Sequence, residues 1–70
     1  MRANVLKSKI VENGMTIGEF CDRAKFVRST FDRKLRGASE FDRDEIGRII
    51  DVLSLTWDEA RNIFFADEVT

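Results

Sequence analysis

The chain has no histidine, no proline and a single cysteine among its 70 residues. One cysteine allows neither an internal disulfide nor a cysteine-based zinc site, and without histidine the usual general base and metal ligand are missing. No convergent group of carboxylates is evident in the sequence either, so an enzyme is the least favoured class of function. We expect no cofactor and no metal site.

Long apolar runs are absent as well. The first 14 residues are interrupted by charged side chains, so they show neither a signal peptide nor a membrane span. A chain of 70 residues with 43% hydrophobic residues has the composition of a small globular domain. We expect one cytoplasmic domain over residues 1–70, with no membrane partner and no small-molecule substrate.

The net charge of −1 hides an uneven distribution of charge. Residues 22–37 contain six basic and two acidic residues, a net charge of +4. Residues 38–70 contain three basic and nine acidic residues, a net charge of −6. A basic helix that follows a tight turn is the electrostatic outline of a nucleic-acid-binding element. A solvated basic face on a short helix explains the same composition equally well.

Three helix-start signals divide the chain, each a threonine or aspartate followed three residues later by glutamate. They are Thr16–Glu19, Asp42–Glu45 and Thr56–Glu59. No segment shows the period-2 alternation of a strand, so the sequence predicts an all-α protein with five helices. The predicted helices cover residues 4–13, 17–24, 28–36, 43–53 and 57–65.

Apolar residues at helical spacing predict the core. On the third helix, Val27, Phe31 and Leu35 form one stripe that is expected to face inward. Cys21 is expected to be a small buried residue rather than a redox group. The predicted core consists of Leu6, Ile10, Phe20, Phe26, Phe31, Leu35, Ile46, Ile50, Leu53 and Phe64.

The opposite face of the third helix carries arginines and hydroxyl groups. A DNA major groove admits one α-helix, and the guanidinium of arginine can bond to O6 and N7 of guanine together. The predicted base-contacting residues are Arg28, Ser29 and Arg33, with Thr30 as a weaker candidate. The predicted phosphate-contacting residues are Lys25 in the turn and Arg36 at the helix end.

Asp32 lies beside these residues and would repel phosphates. Two arrangements would remove the conflict. Asp32 either pairs with Arg36, four residues further along the helix, or accepts a hydrogen bond from cytosine N4. The ion pair with Arg36 is the favoured prediction.

The segment TIGEFCDRAKFVRSTFDRKLRG, residues 16–37, resembles the helix-turn-helix of Cro/cI-type (XRE) phage repressors, and it matches without gaps. In the family, a capped helix opens Thr-Gln-x-x-Leu-Ala, then come glycine, an aliphatic residue and serine, and the recognition helix ends in glycine. The flanking segments LKSKIVENG and SEFDRDEIGRIIDVLSLTWDEARNIFF also resemble small phage and prophage regulators. The corresponding residues here are Thr16, Ile17, Phe20, Cys21, Lys25, Phe26, Val27 and the range 28–37.

This resemblance implies a five-helix lambda-repressor-like DNA-binding domain with a helix-turn-helix formed by helices 2 and 3. It implies a sequence-specific transcriptional regulator that binds double-stranded operator DNA, as a phage-type repressor does. It also places Thr16 at a phosphate-contacting position and Ser39, with Arg36, among further contacts to the DNA backbone.

Three residues depart from the family pattern. Ile17 replaces the glutamine that helps to hold the DNA backbone. Lys25 replaces the turn glycine, so we expect a left-handed lysine that costs about 1 kcal/mol. Val27 replaces the hydroxyl residue that caps the recognition helix. An alternative cap from Ser29 with Asp32 would start this helix two residues later.

Small helix-turn-helix domains gain affinity by dimerising over two half-sites. On the fifth helix the predicted inward stripe is Trp57, Ala60 and Phe64, which leaves Phe65 projecting elsewhere. Phe65 and Val69 are therefore the predicted contacts of a homodimer, and packing of Phe65 against the first helix is an equal alternative.

A second function remains open at this point. The same fold would serve as a protein-interaction module, an antirepressor or antitoxin-like partner of another regulator. The acidic composition of residues 38–70 favours this alternative, as do the missing glutamine and the missing hydroxyl cap.

Overall fold

The computed structural model describes residues 1–65, and these residues form five α-helices and no strand. The predicted all-α class is confirmed, and every helix begins and ends within one residue of its predicted range. Within the described residues, no helix combines the length and the apolar character needed to cross a lipid bilayer. The helices are α1 (Ala3–Glu12), α2 (Ile17–Ala24), α3 (Arg28–Leu35), α4 (Arg43–Leu53) and α5 (Trp57–Phe64).

All three predicted helix-start signals form reciprocal capping boxes. In α2, the Glu19 amide donates to Oγ1 of Thr16 over 3.1 Å, and the Thr16 amide donates to Oε1 of Glu19 over 2.9 Å. Each box satisfies amides that have no partner inside the helix, and a capping residue contributes about 1 kcal/mol. The starts of α2, α4 and α5 are therefore fixed by local sequence.

Phenylalanine rings fill the centre of the core between α2, α3 and the segment before α4. The ring of Phe31 lies 5.4 Å from that of Phe20, 5.2 Å from that of Phe26 and 5.7 Å from that of Phe41, measured between centroids. Cys21 is buried beside them as predicted, and burial raises the pKa of its thiol. The predicted core residues that are buried are Leu6, Ile10, Phe20, Phe26, Phe31, Leu35 and Leu53.

The core face of α4 differs from the prediction. Ile49 is fully buried, whereas Ile46 and Ile50, both predicted core residues, are only half-buried. The buried face of α4 consists of Glu45, Ile49 and Leu53, which lie one turn apart. The prediction was wrong because isoleucines on both sides of the true centre give an apolar stripe too wide to fix the rotation of the helix.

The core face of α5 is also rotated from the prediction. Ala60 is buried as expected, but Ile63 fills the core in place of Phe64, which is half-buried and meets Phe41 edge-on at 5.9 Å. Trp57, predicted to face inward, is 66% exposed. Trp57 is the first helical residue, and its side chain projects from the end of the helix rather than from the packed turns.

Contacts with α1 hold α5 in this rotation. The Arg2 amide donates to the Ile63 carbonyl over 2.8 Å, and the Lys9 ammonium donates to the Glu59 carboxylate. This hydrogen bond from Lys9, with that from the Thr56 amide, lowers the pKa of Glu59 to about 2. The Glu59 carboxylate is therefore ionised at neutral pH, and its stabilising effect declines as the pH falls below the usual pKa of glutamate and is lost below about 2.

The turn between α2 and α3 contains the predicted left-handed residue. Lys25 has φ 62° and ψ 45°, and the amides of Lys25 and Phe26 both donate to the Cys21 carbonyl. The predicted left-handed conformation at this position is confirmed, and a side chain in this region costs about 1 kcal/mol or more.

We expect Lys25→Gly to leave the free energy of unfolding unchanged or to raise it by up to about 1 kcal/mol. Glycine removes the left-handed strain, and its greater freedom in the unfolded chain offsets part of that gain. Urea denaturation measures the difference. Ser54→Gly is a matched control, since Ser54 ends α4 at φ 51° and should respond with the same sign. A clear loss of stability at Lys25 alone would show that the lysine side chain itself stabilises the turn.

Candidate nucleic-acid interface

Two buried residues set the orientation of α3. Phe31 and Leu35 lie one turn apart and both face the core. With about 100° of rotation per residue, Arg33 lies about 200° from Phe31, on the far side of the helix. The face that carries Arg33 is therefore turned outward because the opposite face is anchored.

All eight predicted DNA-contacting residues are exposed. Four lie on α3, one is the N-cap of α2, one lies in the turn between α2 and α3, and two follow the end of α3. Exposure is required of a residue that touches DNA, but it does not by itself assign the role. The eight are Thr16, Lys25, Arg28, Ser29, Thr30, Arg33, Arg36 and Ser39.

Val27 is 68% exposed and does not join the buried stripe of α3, so its predicted inward orientation was wrong. It is the residue before the helix and has extended backbone angles, φ −75° and ψ 129°, so its side chain does not follow the helical spacing. It makes no side-chain cap, as expected, and α3 nevertheless begins at Arg28. The alternative start with Ser29 as a cap is therefore wrong.

Asp32 pairs with Arg28 rather than with Arg36. The Nε of Arg28 donates to Oδ1 of Asp32 over 3.3 Å, with the two side chains 57% and 42% exposed. The favoured prediction of an Asp32–Arg36 pair is thus wrong. Positions four residues before and four residues after Asp32 both lie on its side of the helix, so spacing alone does not choose between them.

Lys34 is removed from the basic surface by an ion pair with Glu45 of α4. Its ammonium donates to both carboxylate oxygens, and the side chains are only 14% and 11% exposed. Of the six basic residues in the range 22–37, the other five are exposed. Lys34 therefore connects α3 to α4, a role that the sequence pattern did not reveal.

Arg48 of α4 forms hydrogen bonds to the turn between α2 and α3. Its Nη1 donates to the carbonyls of Ala24, over 3.0 Å, and Lys25, over 2.7 Å, and its guanidinium lies 4.7 Å from the Phe26 ring centroid. Its Nε is buried 3.2 Å from Oδ2 of Asp44, an ion-pair distance without hydrogen-bond geometry.

These bonds satisfy carbonyl groups at the end of α2 that have no partner within the helix. They therefore support the strained turn. The role of Arg48 was not predicted, because the local sequence gives no sign of acceptors 23 and 24 residues away along the chain.

The start of α2 already holds a carboxylate. Glu19 accepts the Thr16 amide, and the hydrogen bonds from Thr16 lower the pKa of Glu19, which keeps it ionised. The partial positive charge of this helix start is thereby neutralised by the protein itself. The Thr16 hydroxyl oxygen already accepts from the Glu19 amide.

The predicted dimer residue Phe65 is half-buried at the edge of a groove. The groove has a volume of about 380 Å³ and is formed by the start of the chain, the segment between α3 and α4, α4 and the end of α5. Its apolar lining includes Phe41, Ile46 and Phe64. Val69, the other predicted dimer contact, lies outside the described residues.

Comparison with known proteins identifies no relative of this chain: no protein-family model, no curated protein and no solved structure matches it.

Proposed function

We propose that this protein is a sequence-specific DNA-binding transcriptional regulator of the phage-repressor type, with α2 and α3 as its helix-turn-helix and α3 in the major groove. The observation that supports this most directly is the outward face of α3. Buried Phe31 and Leu35 anchor one side, and the other side presents Arg33 and Arg36 to solvent. The resemblance of residues 16–37 to the lambda-repressor-like helix-turn-helix agrees with this assignment.

The proposed contacts follow from side-chain chemistry. Arg33 donates two parallel hydrogen bonds to O6 and N7 of guanine, and Ser29 and Thr30 bond to neighbouring base edges. Lys25 and Arg36 neutralise phosphates on either side of the groove, and Thr16 and Ser39 supply hydroxyl contacts. Val27, which the sequence pattern had assigned to the core, is exposed. It offers an apolar surface to the methyl group of thymine.

A homodimer is part of this proposal. One short recognition helix covers only a few base pairs, and two copies over half-sites about one helical turn apart add their contacts. The protein then acts in the cytoplasm on an operator with approximate two-fold symmetry. The acidic remainder of the chain keeps the net charge at −1, so DNA binding depends on the local basic face.

The test compares two arginines of the same face. Arg33→Ala should weaken binding to the preferred duplex by about 1–3 kcal/mol and relax the preference at one base pair. Arg36→Ala should weaken all duplexes similarly and make the salt dependence shallower by about one unit per half-site. Fluorescence polarisation across salt concentrations, with duplexes selected by the wild-type protein from a randomised pool, measures both effects.

Arg28→Ala should resemble Arg33→Ala, because α3 begins at Arg28 and its side chain is 57% exposed at this end of the helix. If Arg28→Ala and Arg33→Ala weaken binding to all DNA sequences equally, the protein still binds DNA, but these two residues do not recognise bases. No effect of any of these three changes on DNA binding would refute the proposal.

The alternative is a protein-interaction module that binds another regulator. The groove beside Phe65 and the acidic composition of residues 38–70 favour it. Arginines in the last turn of α3 also stabilise the helix dipole without any ligand. Loss of affinity for a partner protein on Arg33→Ala, with no measurable DNA binding by the wild type, would establish this alternative.

A further inference from the structure

The guanidinium of Arg28 pairs with Asp32 and lies close to the start of α2. On one side its Nε donates to Oδ1 of Asp32 over 3.3 Å, one turn along α3. On the other side its Nη1 lies 3.6 Å from the position that a Cβ would occupy on Gly18, in the first turn of α2. The arginine, which is 57% exposed, is therefore paired with α3 through Asp32 and lies near the beginning of α2.

This arrangement determines which N–H groups remain available. Arginine has five N–H donors in a planar fork, and the bond to Asp32 uses the one on Nε. The donors on the two Nη atoms are left for a ligand. A pair of parallel donors is the pattern that matches O6 and N7 of guanine.

The negative charge of Asp32 on this surface is unfavourable for DNA binding. Its carboxylate is 42% exposed on the recognition surface and repels phosphates. An exposed ion pair also contributes only about 0–1 kcal/mol to the stability of the fold, so a stabilising role alone does not explain an aspartate at this position. Fixing the orientation of a neighbouring arginine is a use that outweighs the repulsion, because a preorganised side chain loses less entropy on binding.

We propose that Asp32 is a positioning residue that orients Arg28 for bidentate recognition of one guanine, and so determines specificity at that base pair. The proposal rests on the DNA-binding function proposed above. It differs from the sequence-based alternative in which Asp32 itself accepts a hydrogen bond from cytosine, because here the carboxylate acts through Arg28.

The experiment measures base preference in Asp32→Asn, with Asp22→Asn as the matched control. Both changes remove one carboxylate from the α2–α3 region and raise the net charge equally, but Asp22 forms no ion pair with Arg28. Duplexes carrying each of the four base pairs at the position identified by Arg28→Ala are compared by fluorescence polarisation. Circular dichroism should show Tm shifts below about 5 °C for both variants, as befits exposed residues.

Both variants should bind random-sequence DNA more tightly than the wild type. Only Asp32→Asn should lose preference for guanine at the Arg28 base pair, by about tenfold, within the range that one bidentate contact contributes. In an Arg28→Ala background Asp32→Asn should cause no further loss, and Asp32→Glu should restore part of the preference by returning the carboxylate.

Unchanged discrimination in both Asp32→Asn and Asp32→Ala, the second of which leaves Nε of Arg28 no acceptor at this position, would overturn the positioning role while leaving the DNA-binding function intact. A loss of the same size in the Arg28→Ala background would overturn it too, because Asp32 would then contact the base directly. A wild-type protein without sequence preference would overturn both this inference and the proposed function.

Discussion

Phe31→Ala is expected to cost about 3–5 kcal/mol, which is enough to unfold most molecules of so small a domain. Phe31 is fully buried, and its ring meets the rings of Phe20, Phe26 and Phe41 at centroid distances of 5.2–5.7 Å. The truncation removes apolar area from water and leaves a cavity between α2, α3 and the segment before α4. Thermal unfolding followed by circular dichroism measures the loss.

Two further variants calibrate this result. Phe31→Leu keeps most of the buried apolar area and should lose much less stability than Phe31→Ala. Phe65→Ala changes a half-buried ring at the edge of the groove and should also lose less. An unchanged Tm for Phe31→Ala would mean that α3 is rotated, and the outward face proposed to read DNA would be assigned wrongly.

Glu45→Gln is expected to cost about 3 kcal/mol, because it leaves the largely buried ammonium of Lys34 without a counter-charge. The substitution preserves shape, and the glutamine oxygen can still accept the Asp42 amide that Glu45 accepts over 2.9 Å. The loss therefore reports the ion pair between α3 and α4 rather than the helix cap. Urea denaturation gives the free energy of unfolding.

Glu19→Gln is the matched control for this measurement. Glu19 occupies the same place in the capping box of α2 but has no lysine against it, so its loss should be below about 1 kcal/mol. Lys34→Met should destabilise like Glu45→Gln, and the double variant should lose less than the sum of the two. Equal losses from Glu45→Gln and Glu19→Gln would show that the ion pair adds nothing to the cap.

The local sequence was sufficient to predict features that depend only on residues close together along the chain. Thr16 and Glu19 are three residues apart, so their reciprocal hydrogen bonds follow from spacing alone, and the same holds for the caps of α4 and α5. The left-handed Lys25 was inferred from the glycine in the corresponding turn of the resembling family, and the structure has it.

The local sequence did not decide between partners at equivalent helical spacing, or between neighbouring rotations of a helix. Asp32 has an arginine four residues away in each direction, and the structure pairs it with Arg28. On α4, the apolar stripe allowed several rotations, and the inward centre at Ile49 follows the contact of Glu45 with Lys34 of another helix. Both errors arose because helical spacing defines a face only to within about one residue.

The sequence by itself determined the five helices, their starts and the concentration of positive charge in residues 22–37. These features depend on residues within about four positions of one another, whose interactions are set by the helical repeat. Only the tertiary structure decided which charges stay available for a ligand. Lys34 is joined to α4, Arg48 is drawn to the turn by carbonyls 23 and 24 residues away, and Arg33 remains exposed. Such pairings depend on how helices distant in sequence pack, because a charged side chain bonds to whichever partner the packing brings near.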